Sequence, residues 1–133
     1  MNISVLGLGK LGLCTASCFA SNGHKVIGVD KNADFVSTLQ NRVNPIDETG
    51  LDSLLELSWD NLTVTDDIGQ AVKGSDFTLI IVPTPSKADG RFTNEYLRVV
   101  LEAIGPVLKE KTSFHVVDIV STVMPGSCDK EFK

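Results

Sequence analysis

The chain has little of what marks several broad classes of function. Only three of its 133 residues are cysteines, Cys14, Cys18 and Cys128, and only two are histidines, His24 and His115. An odd number of thiols with no signal peptide ahead of them argues for reduced cysteines rather than a disulfide framework. The opening apolar run, Ile3-Ser4-Val5-Leu6, is too short and too soon broken by glycine to serve as a secretory signal. No apolar run approaches the roughly 18–20 residues needed to cross a bilayer. Acidic side chains outnumber basic ones by 17 to 12, and the net charge of −5 disfavours a nucleic-acid or anionic-membrane surface. Repeats and low-complexity tracts are also missing. What remains is the profile of an ordinary soluble protein, expected in the cytoplasm. With 42% hydrophobic residues, the chain is long enough for one domain with a core.

What is present is concentrated near the N-terminus. Gly7-Leu8-Gly9-Lys10-Leu11-Gly12 follows the strand-like run and opens a helix-like run that continues to Asn22. Lys25-Val26-Ile27-Gly28-Val29 then reads as a second strand, ending at Asp30. Strand, glycine turn, helix, strand, acid is the order that a dinucleotide pyrophosphate requires. Gly7 permits the tight turn, Gly9 lets the backbone approach the pyrophosphate, and Gly12 lets the helix pack against the strand. The helix N-terminus offers free N–H groups and positive partial charge. Asp30, 18 residues after Gly12, is placed to accept hydrogen bonds from the adenosine ribose. Its charge repels a 2′-phosphate and so favours NAD over NADP, a preference that the adjacent Lys31 slightly weakens. A tight turn without a ligand is the competing explanation of the glycines, and the flanking strands and acid argue against it.

Strand-like and helix-like segments alternate to the end of the chain. Asn32 is placed to cap a helix carrying Phe35, Val36 and Leu39, broken at Asn44-Pro45. A short helix with Leu51, Leu54 and Leu55 follows Gly50. Leu62-Thr63-Val64-Thr65 reads as a third strand, and Asp66 or Asp67 as the cap of a helix burying Ile68, Ala71 and Val72. The continuous apolar run 77–82 suits a central parallel strand covered on both faces, ended by Pro83 and Pro85. Asp89-Gly90 marks a turn in the polar loop 87–92. Asn94 is expected to cap the longest helix, in which Leu97, Val100, Leu101, Ile104, Val107 and Leu108 keep helical spacing. Pro106 should kink that helix or force an irregular turn. A strand over 114–120 follows, then a break at Pro125-Gly126 and the start of another helix. Cys14 and Cys18, four apart on the first helix, have no His or acid on that helix to complete a metal site. They read as small buried thiols packed on the sheet.

The alternation defines an α/β fold, a Rossmann-like doubly wound parallel sheet with helices on both faces and right-handed crossovers. Ligands in such sheets lie beyond the strand C-termini, near the switch point. Three segments converge there: the glycine turn, Val82-Pro83-Thr84-Pro85, and Ser121-Thr122. The hydroxyls of Thr84 and Thr122 are candidates for bonds to a cofactor's ribose or phosphate. Turn chemistry or capping explains the same residues equally well.

Several motifs, in order, resemble the NAD-binding domain of the UDP-glucose/GDP-mannose dehydrogenases, which make nucleotide-sugar uronic acids. The glycine turn, with Asn22-Gly23-His24-Lys25-Val26 through Gly28-Val29-Asp30, is similar to the family's opening unit. Pro45-Ile46-Asp47-Glu48-Thr49-Gly50-Leu51 resembles its P-I-x-E-x-G-L segment. Val82-Pro83-Thr84-Pro85 with Asp89-Gly90-Arg91 resembles its V-P-T-P loop, and Ser121-Thr122-Val123-Met124-Pro125-Gly126 its S-T-V-x-P-G turn. The two later motifs are more specific than the glycine turn. The resemblance implies that residues 9–12 hold the pyrophosphate, with Leu11 contributing backbone contact. Asp30 would bind the ribose, and Thr84 and Thr122 would contact the cofactor from the crevice loops. Gly7, Lys10, Lys31, Val82, Pro83 and Ser121 complete the expected cofactor set. Glu48 matches an acid of the family to which no role is assigned. Lys10, Cys14, Phe35, Asp47, Thr49 and Met124 depart from common family choices, and loss of a basic residue at Phe35 would weaken the grip on the adenosine.

The resemblance also implies what is missing. The family reaction oxidises the carbon-6 alcohol of a nucleotide-bound hexose to a carboxylate, passing two hydrides to two NAD molecules through a thiohemiacetal on a cysteine. In the family that nucleophile, the base and most sugar-nucleotide contacts lie C-terminal to the matched region. None of the three cysteines corresponds to the nucleophile and the two histidines offer no pairing, so no catalytic or metal-binding residue is assigned. Residues 1–133 are expected to be a single NAD-binding domain, the N-terminal part of a longer dehydrogenase whose substrate domains are absent. It should bind NAD without turning over UDP- or GDP-hexose. The parent is expected to be a homodimer joined largely through the missing middle segment, and this piece a monomer. Two other classes share parts of the pattern. A nucleotide-sensing regulatory module has the glycine turn and the acid, but Val82-Pro83-Thr84-Pro85 and Ser121-Thr122-Val123 are not expected in it. A 3-hydroxyacid dehydrogenase cofactor domain is similar around residues 7–28, but Asp30 and the proline-flanked Thr84 argue against it.

Overall fold

The apolar runs of the sequence become five short strands in the computed structural model, which describes residues 1–132. In chain order the elements are β1 (Asn2–Leu6), α1 (Lys10–Ser21), β2 (Lys25–Val29), α2 (Ala33–Gln40), α3 (Leu51–Glu56), β3 (Leu62–Thr65), α4 (Ile68–Lys73), β4 (Phe77–Ile80), α5 (Glu95–Glu110), β5 (Val116–Ile119) and α6 (Ser127–Lys130). The strands form one parallel sheet in the order β3-β2-β1-β4-β5. The order reverses between β1 and β4, which places the switch point beyond their C-terminal ends.

Alternation along each strand sorts side chains onto two faces. Ile3, Val5, Val26, Leu62, Val64 and Leu79 join Leu13 and Ala16 of α1, Leu39 of α2 and Leu51 and Leu55 of α3 in one core layer. Leu6, Val29 and Ile80 turn the other way, onto Ala71 and Val72 of α4 and Leu97 and Ile104 of α5. Both layers are built mainly of aliphatic side chains, with Trp59 added to the first, and bury well against a twisted parallel sheet. The expected caps of α2 and α4 form: Asn32 accepts from the N–H groups of Asp34 and Phe35, and Asp67 from that of Gln70.

Four details differ from the sequence-based expectations: the end of β4, the start of β5, the role of Asn94 and the exposure of Cys18. β4 stops at Ile80 rather than Val82, because its neighbour β1 turns away at Gly7; the Ile81 N–H still donates to Leu6 O at 2.8 Å. β5 begins at Val116, leaving Phe114 85% exposed and His115 just ahead of the strand. Asn94 precedes α5 but does not cap it; its amide donates instead to Ser127 Oγ and Glu131 Oε2. Pro106, the residue expected to kink the helix or force an irregular turn, lies within α5 and does not end it. The carbonyl that Pro106 leaves without a donor belongs to Glu102, on the exposed side of the helix, where water can satisfy it. Of the two helix thiols only Cys14 is even half-buried, and Cys18 is exposed.

Candidate cofactor site

The glycine turn joins β1 to α1 at the switch point, and each glycine is held to its type by a different contact. Gly7 has φ +97°, and a Cβ there would lie 2.5 Å from Ile81 O. A Cβ on Gly12 would lie 1.8 Å from Gly7 O. No other residue type fits either position without moving backbone. Gly9 is different: a Cβ there would meet nothing within 4 Å. No protein contact requires its small size, and the space above it is open. The first helical hydrogen bond runs from Leu13 N to Gly9 O. The N–H groups of Lys10, Leu11 and Gly12 therefore have no acceptor among the described residues. Three free donors, a positive helix end and an open cradle over Gly9 fit a dinucleotide pyrophosphate.

Asp30 sits at the end of β2, half-buried, with its carboxylate fixed from two sides. Oδ2 accepts from the Leu8 N–H at 3.0 Å and Oδ1 from the Asn32 N–H at 3.0 Å. Its own N–H donates to Thr65 O at 3.3 Å. A carboxylate offers about four acceptor positions, so capacity for two ribose hydroxyls remains after these bonds. Lys31 does not approach this carboxylate; its Nζ lies 4.8 Å from the centre of the Tyr96 ring, at the start of α5.

The opposite wall comes from the loops after β4 and β5. Ser121 ties them together, donating from Oγ to Val82 O at 2.8 Å and from its N–H to Ile80 O at 3.2 Å. The Ser121 hydroxyl thus has a structural task. The hydroxyls of Thr84 and Thr122 have no partner among the described residues, and neither residue is buried. Val82 packs against the α5 core layer, while Pro83 is exposed.

Lys10 is neither simply solvated nor free. Its Nζ pairs with Glu48 Oε2 at 2.9 Å. The hydrogen bond between them raises the Lys10 pKa and lowers that of Glu48. Burial pushes the nearby Cys14 thiol up, away from thiolate character. Three features of this region were not legible from the sequence: the Leu8 N–H that orients Asp30, the Glu48 partner of Lys10, and the Tyr96 ring under Lys31. Their separations of 22, 38 and 65 residues leave no local signal.

A glycine turn of this shape, followed by an oriented acid at the end of the second strand of a 3-2-1-4-5 parallel sheet, defines a Rossmann-type dinucleotide-binding domain. The sequence model of the UDP-glucose/GDP-mannose dehydrogenase family, NAD binding domain, matches residues 1–133. The chain belongs to that family, and NAD is its cofactor. It is 38% identical over 129 residues to the GDP-mannose 6-dehydrogenase of Pseudomonas syringae pv. syringae, covering 96% of this chain and 30% of that protein. It is 36% identical over 126 residues to a UDP-glucose 6-dehydrogenase of Haloferax volcanii, covering 94% and 29%. Among solved structures it superposes on a ternary complex of GDP-mannose dehydrogenase from Pseudomonas aeruginosa with a TM-score of 0.93 at 38% identity, over 98% of this chain and 30% of that one. The chain thus spans under a third of the length of these relatives.

Proposed function

We propose that this chain is the cofactor half of a nucleotide-sugar 6-dehydrogenase, and that the whole protein oxidises a UDP- or GDP-hexose to the uronate with two NAD. The observation that carries the reading is the pairing of an open cradle over Gly9 with an Asp30 carboxylate already held by the Leu8 and Asn32 N–H groups. In this reading the N–H groups of Lys10, Leu11 and Gly12 bind the pyrophosphate, and Gly7 and Gly12 keep the turn in shape. Asp30 binds the adenosine ribose and excludes a 2′-phosphate, with Lys31 at its edge. Bound NAD supplies the hydride acceptor. Val82, Pro83, Thr84, Ser121 and Thr122 form the second wall, where the two threonine hydroxyls orient the cofactor. No side chain of this chain is assigned to the chemistry, so residues 1–133 bind NAD as one domain but do not turn substrate over. In this reading the parent is cytoplasmic and homodimeric, and the cofactor half is a monomer. The relatives' names include both GDP-mannose and UDP-glucose, and the nucleotide sugar is kept at that class.

Calorimetric titration with NADH and, separately, NADPH tests the reading. The expected result is saturable NADH binding, weaker NADPH binding, and a loss of at least about tenfold in NADH affinity on Asp30→Ala. Preference for NADPH would overturn the role of Asp30, and no binding of either at millimolar concentration would overturn the competence of the chain by itself.

A further inference from the structure

Lys10 is the first residue of α1, whose first turn carries no acidic side chain. A cation at that end of a helix is opposed by the helix dipole, and an anion nearby offsets the conflict. Glu48 supplies it, 38 residues along the chain, at 2.9 Å. Both side chains are well exposed, 68% and 41%, so the pair is weak and easily exchanged. It is also the one polar tie between α1 and the irregular segment 44–50 among the described residues. The pair and Cys14 line one open cavity of ≈ 680 Å³, together with Thr49, Leu51 and Leu54. Lys10 adjoins the open cradle over Gly9, so a pyrophosphate there competes with Glu48 for its ammonium with twice the charge, while Glu48 repels the incoming anion.

We propose that Glu48 is a positioning residue that sets cofactor affinity: it holds Lys10 before NAD binds, and Lys10 exchanges Glu48 for the pyrophosphate on binding, releasing segment 44–50 from α1. The inference rests on the NAD reading of the glycine turn. Removing the Glu48 charge frees Lys10 in advance. Glu48→Gln therefore tightens NADH binding by roughly two- to fivefold at low salt, and the gain disappears at high ionic strength. Lys10→Met weakens binding. A structural role for Glu48 alone predicts the opposite sign for Glu48→Gln. Thiol labelling gives a readout that does not depend on affinity. With Cys18→Ser and Cys128→Ser in place, labelling of Cys14 rises on Glu48→Gln without cofactor, and rises in the otherwise wild-type chain on NADH addition. Equal or weaker NADH affinity in Glu48→Gln, including no binding by either protein, overturns the exchange. Absence of NADH binding by the wild type with faster Cys14 labelling in Glu48→Gln would locate the failure in the NAD reading and leave only the tether. Labelling indifferent to the substitution overturns the tether itself.

Discussion

On the wall of the crevice built by the glycine turn and Asp30, side-chain and backbone groups are fixed by the protein before any ligand arrives. On the wall built after β4 and β5, the Thr84 and Thr122 hydroxyls have no partner among the described residues, and Ser121 ties the two loops together. The first wall is preorganised: Gly7 and Gly12 admit no side chain, and two N–H groups orient the Asp30 carboxylate. The second has hydroxyls that a ligand can engage without displacing a protein partner. Substitutions at Gly7 and Gly12 on the first wall should therefore damage the fold and binding together, whereas those at Gly9 and on the second wall should separate the two.

The largest expected effect is at Gly12. A methyl group 1.8 Å from Gly7 O forces α1 off β1, and Gly12→Ala should destabilise the domain by roughly 3 kcal/mol in chemical denaturation. Gly9→Ala sharpens the contrast within one turn. Its methyl group meets no protein atom, so stability should change by less than about 0.5 kcal/mol while NADH affinity falls about tenfold. A large stability loss at Gly9 would mean that the turn, not a ligand, demands the glycine. On the second wall, Ser121→Ala removes the bond to Val82 O and should lower stability by about 1 kcal/mol. Thr122→Val should leave stability unchanged and weaken NADH binding by about fivefold, the effect of one ordinary hydrogen bond. The reverse assignment of these two effects would break the proposed division of labour.

The smallest expected effect lies at the far end of the sheet, where ligand binding has no part. The Thr78 hydroxyl lies 2.7 Å from that of Ser4 and 2.8 Å from His115 Nε2, while His115 Nδ1 is 3.1 Å from Ser75 O. Burial first, then the Lys111 charge, lowers the His115 pKa from its ordinary value of 6.5. The unfolded chain thus binds more protons at this site than the folded one between the lowered value and about 6.5. Stability from neutral His115 is present above pH 6.5 and declines as pH falls through that window. Thermal melts at pH 7.5 and 5.5 should show a smaller decline in His115→Gln than in the wild type.

Much of the fold was legible because it is local. Alternating apolar runs and the Asn32 and Asp67 caps fix strands and helices within a few residues, and the glycine turn with Asp30 fixes the β1-α1-β2 unit. The failures are places where distant chain segments decide. Asn94 has the right identity for a cap, but Ser127 and Glu131, over thirty residues on, take its amide. Ile81 and Val82 have strand character, but β1 has already turned away. Cys18 shares a helix with Cys14, yet the buried face of α1 is carried by Gly12, Leu13, Ala16, Ser17 and Ala20, and Cys18 lies on the opposite side. The same limit applied at the site: Lys10 was readable as a cation beside the phosphates, whereas its Glu48 partner was not.

In the proposed function the free N–H groups at the start of α1 and the Asp30 carboxylate hold one dinucleotide. Amide resonances followed during an NADH titration test it most directly. Lys10, Leu11 and Gly12 are expected to shift together with Asp30 and Asn32, with a common saturation curve. Saturable shifts confined to other parts of the chain, with these five amides unmoved, would contradict it.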